Sequence, residues 1–144
     1  MNRLIKKISL LLMLAFVCSS PALSSGLQNS LSTDLVGWAQ LDPNVHYERR
    51  LSNLFSAGAG VAFDAQDWDA GIVLSPFVRY APTGALREGI QVQAGGYFAA
   101  DGDLLFELGA GYGIWVDRVQ LTPMIMWRHD QSWRAQLQVG WGWF

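Results

Sequence analysis

Cysteine and lysine are almost absent from this chain. The single cysteine is Cys18, and the only lysines are Lys6 and Lys7. Because all three lie in a segment that we expect to be removed on export, the mature chain is predicted to have no thiol and no lysine. Disulfides and cysteine-based sites are then excluded. Lipidation of Cys18 is disfavoured as well, since the preceding Val17 is a poor match to a lipoprotein signal.

The beginning of the chain has the features of a signal peptide. A basic stretch that includes Arg3 precedes an apolar run at residues 8–17, which is too short to span a bilayer as a helix. Small residues follow, and Ala22-Leu23-Ser24 fits a cleavage site. We therefore predict a cleavable signal peptide at residues 1–24 and a single mature domain at residues 25–144.

Positive charge is scarce in the mature domain. It holds seven arginines, which are the ten basic residues less Arg3, Lys6 and Lys7, against all twelve acidic residues, so its net charge is near −5. No basic patch interleaved with aromatic residues is present in the sequence. Nucleic acid is therefore not an expected partner.

Helical periodicity is also missing from the mature domain, where a period of two runs almost throughout. In the last segment, Leu137, Val139 and Trp141 alternate with Gln138 and Gly140. Alternation of this kind, with aromatic residues near the strand ends, is typical of a lipid-facing strand in a membrane barrel. Eight strands are predicted, near residues 35–41, 44–51, 54–64, 68–80, 89–99, 104–114, 119–128 and 132–144.

These strands predict an all-β fold: an eight-stranded antiparallel up-and-down transmembrane β-barrel with short connections. Residues 26–33 are expected to be an irregular periplasmic segment that precedes the first strand. An alternative takes residues 35–51 as one long bent strand, which leaves seven strands; we prefer eight because an even count returns both termini to the periplasm. Pro76 and Pro123 cannot donate a ladder hydrogen bond, so bulges are expected there.

The aromatic residues are predicted to form two belts at the membrane interfaces, where amphipathic rings are favoured. In an up-and-down path, one rim collects Phe63, Trp68, Phe98, Trp127 and Trp133. The other rim collects Phe55, Tyr80, Trp115, Trp141 and Trp143.

The glycine- and glutamine-rich face of each strand is assigned to the lumen, which places six charged residues inside: Glu48, Arg50, Arg79, Glu107, Arg128 and Arg134. Short turns set Glu107 opposite Arg128 and Arg128 opposite Arg134, so these three are expected to cluster toward the outer end of the lumen. The expected role is a structural plug, because an eight-stranded barrel has room only for its own side chains and buried charges must be paired. A gated polar pathway is the alternative.

Short segments at residues 33–38 (TDLVGW), 41–48 (LDPNVHYE), 55–58 (FSAG), 78–80 (VRY) and 109–113 (GAGYG) resemble small bacterial outer-membrane barrels. These are the opacity-type surface proteins and a related uncharacterised barrel family. The resemblance implies a location in the outer membrane of a Gram-negative bacterium, in contact with lipid and lipopolysaccharide. It also implies delivery to the barrel insertion machinery through the C-terminal strand, which ends at Phe144. It implies no catalytic residues.

No motif in the chain names a reaction, and no catalytic, cofactor or metal site is expected. The predicted function is that of a non-enzymatic surface or envelope-structural barrel. One alternative is a lipid A-modifying enzyme that uses His129 and Ser132 in the last turn, and another is a narrow ion or solute channel. A soluble periplasmic barrel of lipocalin type, with an apolar interior, is a fourth hypothesis.

Overall fold

The computed structural model describes residues 26–63, 71–98 and 104–144, so the predicted signal peptide at residues 1–24 lies outside it. None of the helices among these residues is long and apolar enough to cross a membrane. The described elements are β1 (Asn29–Asp34), α1 (Leu35–Ala39), β2 (Asn44–Arg50), β3 (Phe55–Phe63), β4 (Ile72–Tyr80), β5 (Gly89–Phe98), β6 (Leu104–Val116), β7 (Val119–Arg128) and β8 (Trp133–Trp143).

The strands form one closed antiparallel barrel in which neighbours in sequence pair and β8 pairs with β1. The predicted eight-stranded up-and-down β-barrel is confirmed, and the seven-strand alternative is wrong. When the register is followed from Asn29 through the paired residues of β2 to β7, it reaches Trp133 of β8. Asn29 itself pairs with Trp143 of β8, so one circuit of the barrel shifts the register by ten residues, the difference between 143 and 133. This stagger tilts the strands by about 40° and leaves an interior just wide enough for side chains.

The barrel is polar inside and apolar outside. Gln91 and Gln138 in the lumen are each 1 % exposed, whereas Phe106 and Leu108 on the outer surface are 62 % and 52 % exposed. The same alternation along the strands buries serine, glutamine and charged side chains and exposes leucine, isoleucine, valine and tryptophan. This is the orientation predicted from the glycine- and glutamine-rich faces, and it is the reverse of the lipocalin-type hypothesis.

The first strand is the main correction to the predicted elements. Residues 26–33 are not an irregular segment, because β1 begins at Asn29 and ends at Asp34. The predicted strand at residues 35–41 is the helix α1 followed by a turn. A strand continued beyond Asp34 would point Val36 and Trp38 into the polar lumen. Asp34 instead caps the helix by accepting a hydrogen bond from the Val36 N–H at 3.1 Å, and Trp38 is exposed.

The expected bulges at the prolines are also absent from the described strands. Pairing of β6 with β7 keeps one register on both sides of Pro123, from Gly111↔Met124 to Ile114↔Leu121. Pairing of β4 with β5 likewise keeps its register past Pro76. Each proline faces outward, and the ladder is interrupted locally without the insertion of an extra residue.

The other strands lie close to their predicted positions, with two differences. β6 continues to Val116, two residues beyond its predicted end. β4 begins at Ile72, whereas its predicted start at Trp68 lies outside the described residues.

Candidate functional site

A charged network centred on Arg79 closes the middle of the lumen. Arg79 projects from β4, is 2 % exposed, and pairs with Glu48 of β2 at 2.7 Å between Nη1 and Oε2. Its Nη2 donates to Gln93 Oε1 on β5 at 2.7 Å and to Gln138 Oε1 on β8 at 3.0 Å. The Ser56 hydroxyl donates to the other oxygen of Glu48. One guanidinium thus ties together four strands across the barrel.

Glycines allow neighbouring side chains to fill most of this interior. The lumen-facing Gly109 lies against the Met126 side chain, and a Cβ on this glycine would be 2.0 Å from Met126 Sδ. Gly113 lies against Gln91 in the same way, and its Cβ would be 2.3 Å from Gln91 Nε2. A cavity in the described part of the lumen, lined by His46, Gln93 and Gln136 among others, has a volume of about 20 Å³. A space of this size holds about one water molecule. The glycine runs of the sequence therefore make room for neighbouring side chains.

Gly58 is the glycine at which an added Cβ would come closest to a backbone atom, and this close approach gives a first prediction. A Cβ at Gly58 would be 2.2 Å from the Tyr47 carbonyl oxygen and 2.5 Å from the Phe77 ring. We expect Gly58→Ala to destabilise the barrel by about 1–3 kcal/mol, because the backbone must shift. Gly96→Ala is the matched control, since its Cβ would meet only side chains, at 3.1 Å or more. Urea unfolding in detergent micelles measures both; equal losses would contradict this packing argument.

A second network lies at the end of the barrel that carries α1, here called the α1 end. Arg134 of β8 pairs with Asp34 at 3.3 Å and with Asp42 at 2.9 Å. The Asn44 side chain accepts from the Asp34 N–H at 2.9 Å and lies 3.0 Å from His46 Nε2. Sequence reasoning missed this network because Asp34 and Asp42 flank a helix that was predicted to be a strand.

The predicted cluster of three charges is therefore only partly assembled. Glu107 and Arg128 face each other in the register and form an ion pair at 2.7 Å, with Tyr97 stacked 4.4 Å from the Arg128 guanidinium. Arg134 does not join them: it lies opposite Met126, and its partners are Asp34, at the end of the neighbouring strand β1, and Asp42, which follows α1. The prediction that Arg134 faces Arg128 is wrong because the last turn is centred on Asp130 and not on Gln131, which shifts the register of β8 by two residues.

The opposite end, where residue 26 and Phe144 lie and which is here called the terminal end, is closed by side chains and by the connection between β4 and β5. Arg50 is 3 % exposed and donates to Asn53 Oδ1 at 2.6 Å. Ala85 and Leu86 of the connection are 1 % and 4 % exposed. Trp115 packs over Gly142, so it points into the lumen and its predicted place in an aromatic belt is wrong. In the sequence, Trp115 follows Gly109, Gly111 and Gly113 at a spacing of two, and this spacing indicates that its side chain faces the lumen as those glycines do.

The remaining belt residues lie at the predicted ends of the strands, apart from Trp68, which is outside the described residues. Phe55 and Tyr80 contact each other near the terminal end with ring centres 5.1 Å apart. Tyr47, which sequence reasoning missed, packs 6.2 Å from Trp143 on the same rim. The described belt residues are Phe63, Phe98, Trp127 and Trp133 at the α1 end and Phe55, Tyr80, Trp141 and Trp143 at the terminal end.

The turn at residues 129–132 does not arrange its side chains as a nucleophile and a base. The Ser132 hydroxyl donates to Asp130, and the Ser132 N–H donates to the same carboxylate at 2.9 Å. These hydrogen bonds lower the pKa of Asp130. His129 instead accepts the Phe106 N–H through Nδ1 at 3.4 Å. Nucleophilic catalysis needs the hydroxyl to contact its base, so this geometry favours a turn-stabilising role.

A second prediction follows for this turn. Ser132→Ala is expected to raise the pKa of Asp130 toward its usual value, since it removes the side-chain donor. The same change should leave the lipid A of an expressing bacterium chemically unaltered. NMR titration and lipid A mass spectrometry measure the two outcomes, and His129→Ala serves as the parallel variant. A change in lipid A with either variant would contradict the structural role.

Metal binding finds no support within residues 26–63, 71–98 and 104–144, where no three His, Cys, Asp or Glu side chains are grouped to hold an ion. No protein-family model, no curated protein and no solved structure matches this chain. In the described interior, ion pairs and hydrogen-bonded amides join side chains from strands on different sides of the barrel.

Proposed function

We propose that this chain is a non-enzymatic outer-membrane β-barrel of a Gram-negative bacterium, with a structural or surface role in the envelope. The observation that carries the proposal is the reversal of burial, in which charged and amide side chains fill the lumen and large apolar side chains cover the outside. In water this outside would be a broad exposed apolar surface, which soluble monomers rarely have. In a bilayer the same surface meets hydrocarbon.

Strand length and rim composition support the same proposal. The ten-residue strands β5 and β7, tilted as described, rise by about 25 Å along the barrel axis, which equals the usual height of the apolar band of such barrels. Aromatic side chains lie at both ends of this band, at the level where lipid headgroups would lie. Similarity to opacity-type surface proteins stays a prediction from the sequence motifs.

Insertion into membrane is tested by folding the mature chain from urea into vesicles of phosphatidylethanolamine and phosphatidylglycerol. We expect the unboiled and boiled samples to migrate differently in a denaturing gel, because a hydrogen-bonded barrel resists detergent unfolding. We also expect the folded protein to float with the vesicles. Folding of the protein in buffer without lipid or detergent would overturn the proposal.

The closed lumen gives a third prediction, which separates the structural role from the channel alternative. Among the described residues, the network on Arg79 crosses the middle of the lumen, and a cavity beside it has a volume of only about 20 Å³. We expect planar bilayers that contain the folded protein to show no stepwise conductance. Reproducible single-channel steps, absent after insertion of boiled protein, would favour the channel instead.

A further inference from the structure

Two guanidinium groups meet beside Gly26 at the terminal end of the barrel. A Cβ built on Gly26 would lie 3.0 Å from Arg50 Nη1 and 3.7 Å from Arg87 Nη2, and these are the described atoms within 4 Å of that position. We call the space between Gly26, Arg50 and Arg87 the arginine cleft. Like charges repel, so a negative group placed in this cleft would lower the free energy of the folded state.

Arg50 is held in the arginine cleft by two hydrogen bonds. Its side chain is 3 % exposed, its Nε donates to the Ser52 carbonyl oxygen at 3.1 Å, and its Nη2 donates to Asn53 Oδ1 at 2.6 Å. Both acceptors are neutral groups, so these two bonds fix the guanidinium without neutralising its charge. The nitrogen that borders the cleft, Nη1, is the third corner of the same rigid group.

The connection between β4 and β5 directs Arg87 toward the same point. The stem of Arg87 lies over Gly84, where a Cβ would be 2.8 Å from Arg87 Cδ. Leu86 has a φ of 55° and is 4 % exposed, so a buried side chain anchors the backbone directly before Arg87. A backbone N–H of this connection donates to the Asn53 carbonyl oxygen at 2.8 Å, next to the turn that holds Arg50. Arg87 itself is exposed, so a dissolved ion can reach the cleft from water.

The two ends of the barrel differ in charge in a way that favours an anion at the terminal end. The described arginines at the terminal end are Arg49, Arg50, Arg87 and Arg118, and the acidic side chains there are Glu88 and Asp117. Toward the α1 end, the described acidic side chains are Asp34, Asp42, Glu107 and Asp130, and the arginines are Arg128 and Arg134. This distribution attracts anions to the end that carries the arginine cleft.

We propose that the arginine cleft binds a phosphate group that arrives from the aqueous side of the terminal end. Phosphate carries a charge of about −1.5 to −2 at neutral pH and at least three acceptor oxygens, so one group can neutralise and bridge both guanidiniums. A carboxylate carries a single charge and matches one guanidinium. The missing side chain of Gly26 leaves the room that the anion occupies. This inference goes beyond the membrane proposal, because the ligand comes from water and not from the bilayer.

Titration with inorganic phosphate tests the site directly. The mature chain is folded in maltoside micelles in a phosphate-free chloride buffer, and sodium phosphate is added in a calorimeter. We expect saturable binding. Arg87→Gln should weaken it by at least about tenfold, because a charged hydrogen-bond donor is lost. Gly26→Ala should weaken it to a similar extent although it keeps both charges, because the methyl group fills the cleft.

Arg118→Gln is the matched control, since Arg118 is an exposed arginine at the same end that contacts the Phe144 ring instead. Its affinity for phosphate should equal that of the unaltered protein. The gel mobility of unboiled samples shows that every variant has folded. Absence of saturable binding, or equal weakening by Arg87→Gln and Arg118→Gln, would overturn the site. An unchanged affinity in Gly26→Ala would also overturn it, because the attraction would then not depend on the cleft.

A lipid arm distinguishes free phosphate from a lipid headgroup. Short-chain phosphatidylglycerol, added to the same micelles, is expected to leave the affinity for inorganic phosphate unchanged, because the cleft opens to water. Competition by this lipid would overturn the aqueous source and assign the cleft to a headgroup phosphate. The membrane proposal does not depend on any of these results, since insertion into vesicles tests it separately.

Discussion

Replacement of Arg79 by methionine is expected to destabilise the barrel by about 3–5 kcal/mol. The guanidinium is 2 % exposed and is the partner of Glu48, which is also 2 % exposed. Without it, the Glu48 carboxylate stays buried and, among the described residues, keeps the Ser56 hydroxyl as its hydrogen-bond donor, and the amides of Gln93 and Gln138 lose a charged donor. Urea unfolding of the protein in vesicles, followed by tryptophan fluorescence, measures the loss.

Two further variants make this result specific to the buried pair. Arg118→Met is the matched control, because Arg118 is exposed and contacts the Phe144 ring at 5.5 Å, so the loss should be at most about 1 kcal/mol. Glu48→Gln combined with Arg79→Met should be more stable than Arg79→Met alone, since no unpaired charge is left inside. If Arg79→Met lowered the free energy of unfolding by no more than Arg118→Met does, the network on Arg79 would not stabilise the barrel.

The second large effect is expected on the outer surface. Leu108 lies near the middle of the 13-residue strand β6 and is 52 % exposed. In a bilayer, Leu108→Arg should cost about 2–4 kcal/mol, because the guanidinium would be at the depth of the hydrocarbon midplane. The measurement is again urea unfolding in vesicles.

Val116→Arg is the control for depth. Val116 is the last residue of β6, faces outward like Leu108 and is 70 % exposed. Near the interface the same arginine should cost about 0–1 kcal/mol. Two small and equal losses would indicate that the outer surface meets water, and the membrane proposal would then fail although the barrel fold would remain.

The large effect expected for Arg79 derives from the width of the lumen. With a stagger of about ten residues over eight strands, the lumen is only as wide as the side chains that fill it. Large polar side chains such as Arg79 and Gln138 therefore reach across to other strands, and glycines such as Gly113, which lies against Gln91, make room for the side chains of the lumen. The interior becomes a solid polar core in which removal of one charge affects several walls at once.

The alternation of residue types was sufficient to predict much of this arrangement. A period of two is a local property, so the strands β2, β3, β5, β7 and β8 could be placed to within about a residue of their observed ends. Parity also indicated which side of each strand faces the lumen. Tight turns carry register from one strand to the next, and this is why Glu107 could be set opposite Arg128.

Only the closed barrel decided the position of β1, the helix α1 and the partners of Arg134. β1 is positioned by pairing with β8, more than a hundred residues away, and no local pattern specifies that register. Contacts across the lumen, such as Arg79 with Gln138, depend on the accumulated stagger of all eight strands. Alternation within a strand selects a face, whereas the closure of the barrel selects the neighbour that each face meets.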